Sequence, residues 1–465
     1  MQYPSLPPLT RRELFRAGGL GVAGYFVTSA YRPSRVWAAE KVSPRGTARF
    51  CIFLLLNGGA SQLDTFDAKE GAWTPAEFDI RRFGDVSLPY GLFPKLSERL
   101  QEVAILRSIN AWDSVHGRAQ YYVQAAHPLN LALAKEIPPV GSVVAYEYHG
   151  RRRSEDPLPP YVAMNAANSQ AGVLTQGFLP AEFAPFSLTV GQDGPPNIAP
   201  QPGEEERFRR RWHFLQELDG SLRTPGSTRG RSFADYHDFY RGAYALMRDP
   251  RATKVLELGA EEMKRYGETA LGNACLLARN LVLADAGTHF IFIGHDGWDF
   301  HTNIYDSRKP GEATHQKLSR ELDSALCPLL DDLKAARRRD GQSALDETLV
   351  VVMSEFGRTP GPLHETRKGR EHYQFAACGL LAGGGVQGGR VIGRTDEIGG
   401  EIVDFGWRAK RPIYIEDLAA TVYSALGIDW TKRHENTPSG RAFQYIEPFS
   451  GTSYVKFQEV GEVFA

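Results

Sequence analysis

Short, unbroken apolar runs recur along the chain and predict the buried strands of a sheet. The first run, residues 50–56, consists of apolar side chains only and ends in Asn57-Gly58-Gly59. Such a run is typical of a strand that is covered on both faces, as in parallel sheets. Similar runs predict further strands at residues 103–106, 161–164, 288–294, 348–354 and 379–383.

Stretches with a helical spacing of apolar residues lie between these runs. They predict helices near residues 96–107 (leading into the second strand), 114–126, 270–286, 311–337 and 417–427. Strand and helix alternate most clearly in the second half of the chain. This alternation predicts an α/β fold, in which a mostly parallel central sheet is covered by helices on both faces.

One region departs from the alternation. Residues 165 to about 205 are rich in Gly, Pro and Asn and predict long surface loops. Residues 204–285 hold several helical patterns that are rich in charged and aromatic side chains. We expect a loop and helical insertion at about 165–265, within a single domain that spans residues 40–465.

The first 39 residues have the composition of an export signal. Arg11-Arg12 precede a weakly apolar, glycine-rich stretch at residues 17–30, and residues 36–38 (VWA) resemble a signal-peptidase site. Paired arginines before a mild apolar core indicate the twin-arginine route. We therefore expect a periplasmic or cell-surface protein that begins near residue 39 or 40. A basic amphipathic surface helix and an uncleaved, anchoring signal are the alternatives.

Charge and cysteine usage exclude several classes of partner and site. The 465-residue chain has a formal net charge of −1, and its first 39 residues hold five basic and one acidic side chain, so the remainder carries −5. The remainder has no excess of basic residues, and nucleic acid is therefore not expected as a partner. No later segment has 18 consecutive apolar residues, so no transmembrane segment is expected after the signal. The four cysteines lack C-x-x-C spacing; we expect free buried thiols, with a disulfide as the alternative.

Polar, chemically active side chains follow three of the predicted strands. In open α/β sheets, ligands bind beyond the carboxyl ends of the strands. Three such ends are followed by residues 57–67, 295–301 and 354–360, and residues 369–373 come shortly afterwards. These segments predict that carboxylates, imidazoles and hydroxyls meet at one edge of the sheet.

The same segments contain residues suited to a divalent metal ion. Asp299 and His301 lie two residues apart, so both can face one side of an extended segment. Glu355 follows the next strand, and His372 lies in the loop after it. We expect an Asp-His-His set, with Glu355 bridging or orienting the ligands. Zinc is the ion that this set favours, with calcium, magnesium and manganese as alternatives, although each residue alone could be structural.

The chain contains four distinctive motifs, at residues 56–69 (LNGGASQLDTFDAK), 297–303 (GWDFHTN), 354–360 (SEFGRTP) and 369–373 (GREHY). Together they resemble the exported domain-of-unknown-function 1501 family, which is assigned to the alkaline-phosphatase and sulfatase superfamily. The similarity extends to residues 276–279 (LLAR) and 416–420 (EDLAA) and covers most of the chain after the signal. The region from about 165 to 260 matches little.

The resemblance implies an alkaline-phosphatase-like three-layer sandwich and a metal-dependent hydrolase of phosphate or sulfate esters. It implies a small-molecule or glycan ester as substrate. Asp299 and His301 match one ligand position of the superfamily, Glu355 matches the Asp of a following strand, and His372 matches a later ligand His.

Several positions depart from the pattern of the superfamily. Glu371, a further candidate metal ligand, stands where the family more often has Asp, and it keeps the carboxylate. Asn57 stands where phosphatases have a strand-end Asp, which leaves Asp64 as the candidate for that ligand role. Phe356 stands where many members have a second His, and this argues against a full two-metal site.

The resemblance also implies a nucleophile at the start of a helix, activated by the metal and by the helix dipole. The corresponding entry is residues 113–118, with Ser114 or His116 as candidates. Ser61 is the second choice, because the Gly-Gly pair before it would let the backbone approach an anion closely. Arg358 could hold an oxyanion through two parallel hydrogen bonds. A helix cap for Ser114 and a structural salt bridge for Arg358 are the alternatives.

Three functions are compatible with these features. The first is an exported metal-dependent ester hydrolase. The second is a non-catalytic metal-binding or surface-assembly protein on the same scaffold, suggested by Phe356 and by the lack of an evident nucleophile. The third is an isomerase or mutase, because phosphate-moving mutases share the scaffold that the resemblance implies. It is the weakest of the three, since export would separate the protein from cytosolic sugar phosphates. No motif identifies the substrate or the oligomeric state.

Overall fold

The computed structural model describes residues 42–166, 169–201, 203–220, 230–306, 313–338, 340–447 and 455–464. The predicted signal at residues 1–39 lies outside the described residues. Contacts divide the chain into two units, Met1–Val42 and Ser43–Ala465, and the described strands and helices all belong to the second. The boundary near residue 39 or 40 stays a prediction.

The described part of the chain contains 16 strands, and eight of them form one central sheet. In chain order the strands are β1 (Phe50–Leu56), β2 (Ile80–Phe83), β3 (Val86–Pro89), β4 (Val103–Ile109), β5 (Tyr161–Met164), β6 (Phe186–Leu188), β7 (Phe290–His295), β8 (Thr348–Met353), β9 (Gly357–Arg358), β10 (His372–Tyr373), β11 (Ala377–Ala382), β12 (Arg390–Ile392), β13 (Arg394–Thr395), β14 (Ile402–Asp404), β15 (Arg433–His434) and β16 (Phe443–Gln444). The order in the central sheet is β12-β4-β11-β8-β1-β7-β5-β6.

Seven of the eight central strands run in the same direction. The exception is β11, which is antiparallel to both of its neighbours, β4 and β8. The predicted α/β fold with a mostly parallel sheet is therefore confirmed. Strands β1 and β5 begin and end where the apolar runs predict.

Ten α-helices lie in the described part of the chain. They are α1 (Pro94–Ser97), α2 (His116–Ala125), α3 (Val140–Glu147), α4 (Glu205–Gly220), α5 (Gly230–Arg248), α6 (Pro250–Leu256), α7 (Ala260–Arg265), α8 (Ala270–Ala284), α9 (His315–Ala335) and α10 (Ile415–Ala425). The helix predicted at 96–107 is wrong in extent, because only the single turn α1 and a 3₁₀ turn precede β4. None of the described helices is long and apolar enough to cross a membrane.

Helices cover both faces of the central sheet and complete three layers. Alternate residues of a strand point to opposite faces, and on one face of β1 the side chains join the main hydrophobic core with α8 and α9: Phe50, Ile52, Leu54 and Leu56. On the other face, Phe53 lies with Val123 of α2 and Val140 of α3. Burying one such side chain fully stabilises the fold by about 1.5–3 kcal/mol, which explains why these runs form the centre of the sheet.

The region expected to be an insertion also contributes to the sheet. Residues 186–188 form β6, which pairs parallel to β5 at one edge. The helical pattern predicted for residues 204–285 corresponds to helices α4 to α8, and α8 packs on the core. The four cysteines are free and buried, as expected.

Candidate metal centre

A cluster of four side chains lies at the carboxyl edge of the central sheet. Their possible ligand atoms lie within 4.8 Å of one another, and the residues are His116, Asp299, His301 and His372. Three separate segments supply them: the first turn of α2, the loop after β7, and strand β10. Strand β1 pairs in register with β7 and β8, so these strands end at the same level and their following loops meet.

Four of the six distances between the ligand atoms are close to the spacing of ligands around one ion. Asp299 Oδ1 lies 3.0 Å from His301 Nε2, 3.2 Å from His116 Nε2 and 3.6 Å from His372 Nε2. His301 Nε2 and His372 Nε2 are 2.9 Å apart. Two ligands at about 2.05 Å from a tetrahedral zinc ion are about 3.4 Å from each other. These four distances lie around that value.

A buried carboxylate holds the imidazole of His116. His116 Nδ1 lies 2.8 Å from Glu355 Oε1, which also accepts hydrogen bonds from Gln120 Nε2 and the Gly58 backbone N–H, both at 2.9 Å. Burial alone would raise the pKa of Glu355, but hydrogen bonds from His116 and other donors outweigh it and lower the pKa. Glu355 therefore orients the imidazole and stays ionised, without joining the cluster.

The second nitrogen of His116 points into the cluster without a hydrogen-bond partner. His116 Nε2 is buried and unpaired, because its contact with Asp299 at 3.2 Å has an ion-pair distance but not the direction of a hydrogen bond. Burial lowers the pKa of His116, whereas Asp299 and Glu355 raise it, and the net result is a pKa of about 9. Without an ion the ring is therefore protonated near neutral pH, and a bound cation would replace the proton on Nε2. Unpaired buried polar atoms are rare. A buried nitrogen without a hydrogen-bond partner that faces three further possible ligand atoms fits a metal ligand.

The other two imidazoles are also held through Nδ1. His301 Nδ1 lies 2.9 Å from Glu371 Oε2, and His372 Nδ1 donates to the Ser114 carbonyl at 2.6 Å. Glu371, a candidate ligand by its sequence, thus contacts His301 from outside the cluster of possible ligands. Burial lowers the pKa of His372 and so favours the neutral ring that a metal requires. In all three rings Nε2 is left for the cluster, which is how ligating histidines are held. Three imidazoles and one carboxylate fit zinc.

Phe356, which stands in place of a second histidine, packs against the cluster. Its ring centroid lies 4.7 Å from that of His116 and 4.8 Å from that of His372. The phenyl ring is fully buried and offers no donor atom. This substitution supports two of the imidazoles and agrees with a single ion.

The loop after β1 runs so close to the cluster that position 58 requires glycine. Gly58 has a φ of +114°, and a Cβ at this position would lie 2.6 Å from the Asp299 backbone nitrogen. A residue with a side chain would be strained at this φ and would displace Asp299.

Arg358 ties the loop after β1 to Asp299. It is buried; Nε donates to the Gly59 carbonyl at 2.8 Å, Nη1 donates to the Arg370 carbonyl at 3.0 Å, and Nη2 contacts both the Gly58 carbonyl and Asp299 Oδ1. All three guanidinium nitrogens thus bind protein acceptors, as in the structural alternative. A role for Arg358 in holding an oxyanion stays a prediction.

Ser61 and Asp64 lie outside the cluster, in a buried network of their own. Ser61 Oγ donates to Asp64 Oδ2 at 2.6 Å, Arg370 Nε contacts the same oxygen at 2.9 Å, and Tyr305 Oη donates to Oδ1 at 2.8 Å. Both carboxylate oxygens are therefore engaged by the protein. The structure does not bring the predicted ligand Asp64, or the second-choice nucleophile Ser61, to the cluster.

Ser114 and His116, the two candidate nucleophiles at the start of α2, have other contacts than the sequence predicts. Ser114 is half-buried beside the cluster, and its carbonyl holds His372. His116, a candidate nucleophile by its place in the sequence, lies among the possible ligands instead. A histidine in the first turn of a helix that follows a central strand is the signal that could have indicated a ligand, because that turn lies at the ligand-binding edge.

Comparison with known families identifies the chain. The family model described as a protein of unknown function, DUF1501, matches residues 48–447. The chain belongs to the DUF1501 family. This confirms the family that the four motifs predict. None of the functionally curated proteins matches this DUF1501 sequence.

Several solved structures resemble this DUF1501 protein distantly. A protein of the alkaline phosphatase superfamily from Vibrio parahaemolyticus has 12% sequence identity and a TM-score of 0.38, with 86% of this chain and 72% of that chain covered. The phosphonate monoester hydrolase from Silicibacter pomeroyi has 12% identity and a TM-score of 0.37, with 90% and 76% covered. The PsFucS1 sulfatase from Pseudoalteromonas has 13% identity and a TM-score of 0.36, with 83% and 68% covered. Similarities this distant say nothing about the chemistry of the DUF1501 protein.

Proposed function

We propose that this DUF1501 protein is an exported, metal-dependent hydrolase of phosphate or sulfate esters. The observation that carries the proposal is the convergence of three imidazole Nε2 atoms and Asp299 Oδ1 at the carboxyl edge of the sheet. Each imidazole is fixed through Nδ1, and His116 Nε2 is buried with no hydrogen-bond partner and with the Asp299 carboxylate at an ion-pair distance of 3.2 Å. Such an arrangement is costly without an ion and is expected around one.

The proposed ligands are His116, Asp299, His301 and His372. Three imidazoles favour zinc, because calcium and magnesium prefer oxygen ligands, and manganese is the alternative. When bound, the ion would polarise the ester and lower the pKa of a bound water or hydroxyl. Phe356 offers no donor and Asp64 is engaged elsewhere, which supports a single ion.

The surrounding residues have separate roles in this proposal. Glu355 and Glu371 fix two imidazoles and make them better donors. Arg358 balances the charge of Asp299. Ser114 remains the candidate nucleophile, since it adjoins the cluster, whereas Ser61 donates to Asp64 in a separate buried network.

One observation favours the non-catalytic alternative. An anionic ester is usually held by arginine side chains, but the arginines near the cluster are engaged with acidic residues. Arg118 binds Asp113 at 2.7 Å, and Arg367 binds Glu371 at 2.7 Å. A protein that only binds a metal ion requires no such cation.

The export part of the proposal depends on residues 1–39. The twin-arginine route would carry the protein folded, with the ion already bound, to the periplasm or cell surface. A small-molecule or glycan ester would be its substrate there.

Metal analysis and a substrate screen test the proposal. We expect about one zinc ion per chain by mass spectrometry of the metal, lost in His301→Ala and His372→Ala but kept in His364→Ala, an exposed histidine outside the cluster. Aryl phosphates and aryl sulfates, screened with zinc, manganese, magnesium and calcium, should reveal turnover that His372→Ala abolishes. Wild-type metal content in both cluster variants would refute the metal centre. Metal binding without turnover would favour the non-catalytic alternative.

A further inference from the structure

The segment between β4 and α2, residues 110–115, contributes to the positions of two residues of the cluster, His116 and His372. It ends where α2 begins at His116, and its Ser114 carbonyl orients His372. The Ala111 backbone N–H also donates to the Gln374 carbonyl at 2.9 Å, which ties the segment to the residues after β10. Displacing this segment would therefore move two imidazoles.

Trp112, in the middle of this segment, has an unfavourable backbone conformation. Its φ is +62°, in the left-handed region. For a bulky residue this is a genuine outlier, and it persists only where the surroundings determine it. The structure shows what those surroundings are.

Two contacts fix the indole ring of Trp112. The ring stacks on Tyr414 with centroids 3.9 Å apart and planes 12° apart. The indole Nε1 donates to Glu416 Oε2 at 3.1 Å. Both partners lie at the start of α10, Tyr414 as its N-cap and Glu416 in its first turn.

Glu416 is fully buried, and besides the hydrogen bond from Trp112 it accepts one from a residue of α2. Its Oε1 accepts from the Tyr122 hydroxyl, so each carboxylate oxygen has a different donor. No salt bridge of Glu416 is present among the described residues. Burial raises the pKa of Glu416 to about 7. A carboxylate in this position is costly to bury, and neither donor is part of the cluster.

We infer that Glu416 is a positioning residue of the proposed metal centre. It holds the entry of α2 from both sides, through Trp112 before His116 and through Tyr122 after it. Because the Ser114 carbonyl lies in the same segment, Glu416 also fixes the group that orients the imidazole of β10. This inference rests on the metal centre proposed above.

The test compares zinc binding in full-length variants with a matched control. Tyr122→Phe and Trp112→Phe each remove one hydrogen bond to Glu416. Glu416→Gln keeps the shape but replaces one of the two acceptor oxygens with an NH₂ group, which cannot accept. Tyr445→Phe is the control, because Tyr445 is buried and its hydroxyl donates to Glu147 at 2.6 Å, away from residues 110–115. The readouts are the Kd for Zn²⁺ by chelator competition and the visible spectrum of the Co²⁺-substituted protein.

We expect Tyr122→Phe and Trp112→Phe each to raise the Kd for Zn²⁺ about tenfold and to change the Co²⁺ spectrum. Glu416→Gln should do the same, and Tyr445→Phe should change neither. If all three test variants keep the wild-type Kd and spectrum, Glu416 has only a structural role and the inference is wrong. If the wild-type protein binds neither Zn²⁺ nor Co²⁺, the metal centre is wrong, and the inference falls with it.

Discussion

At the scale of single residues, the cluster depends on atoms that lie outside it. The Nδ1 atoms of the three imidazoles are held by oxygen atoms of Glu355, Glu371 and the Ser114 backbone. Such contacts fix the tautomer and strengthen Nε2 as a donor. Glu371 is the more accessible of the two carboxylates, so its substitution disturbs the core least.

Replacing Glu371 with glutamine should weaken zinc binding. The neutral amide is a poorer acceptor for His301 Nδ1, and the loss of such a partner costs about 10–100-fold in metal affinity. The Kd for Zn²⁺ of Glu371→Gln measures this effect. Glu365→Gln, at an exposed glutamate six positions earlier, is the control and should bind as the wild type does. Equal affinities in the two variants would contradict the role of Glu371.

Alanine at position 58 should be more damaging than alanine at another glycine with positive φ. Gly84 has a φ of +61° and open space where a Cβ would lie, whereas at Gly58 the Cβ would lie 2.6 Å from the Asp299 nitrogen. Gly84→Ala should cost about 1 kcal/mol of unfolding free energy. Gly58→Ala should cost about 1–3 kcal/mol more, because the site is overpacked.

Urea unfolding measures both glycine variants, and zinc affinity should fall in Gly58→Ala alone. Equal unfolding free energies for the two variants would mean that the loop after β1 yields without displacing Asp299.

The sequence could place residues at the edge of the sheet but could not decide which atoms meet there. Asp299, His301 and His372 lie together, as predicted, because strand ends determine their position. Asp64 lies elsewhere because a buried 3₁₀ turn brings it to Arg370, a partner 306 positions away in the chain. The sequence offers His116 as a nucleophile and not as a ligand, because its position at the start of a helix does not reveal that the His116 Nε2 atom faces Asp299.

At the scale of elements, β1 is the central element of the fold. It is buried along its whole length and pairs with β7 on one side and β8 on the other. A strand covered on both faces is a continuous apolar run, which is why its limits could be predicted. The direction of β11 could not be predicted, because the local pattern of apolar residues is the same in both directions.

Truncating a core residue of β1 should destabilise the protein strongly. Leu54 is 1% exposed, and Leu54→Ala should lower the unfolding free energy by about 2–5 kcal/mol, since it leaves a cavity against the helices. Leu131 is 85% exposed, and Leu131→Ala should change it by less than about 0.5 kcal/mol. Urea unfolding compares them. Similar values for both variants would contradict the placement of β1 in the core.

At the scale of the whole molecule, buried histidines outside the metal centre link stability to pH. Burial lowers the pKa of His289, just before β7, and of His315, at the start of α9, to about 4 each. In the unfolded chain the ordinary value is about 6.5. Between these values the unfolded state binds more protons, so these groups make stability fall as the pH is lowered from about 6.5 to about 4.

Removing one of these histidines should flatten the pH dependence. For His289, the shift predicts a loss of about 2 kcal/mol of unfolding free energy between pH 7 and pH 5. His289→Gln should lack this contribution, and its loss over that interval should be smaller than that of the wild type by about the same amount. Urea unfolding at the two pH values measures both. Equal losses in variant and wild type would contradict a neutral, buried His289.

The claim that most needs a direct test is that three imidazoles and one carboxylate hold a single ion at the edge of the sheet. X-ray absorption at the zinc edge of the purified protein measures the ligands themselves. The structure predicts about four nitrogen and oxygen neighbours at about 2.0–2.1 Å, with the outer-shell pattern of three imidazoles and no sulfur. A sulfur neighbour at about 2.3 Å, fewer than three imidazoles, or a second metal nearby would contradict this account.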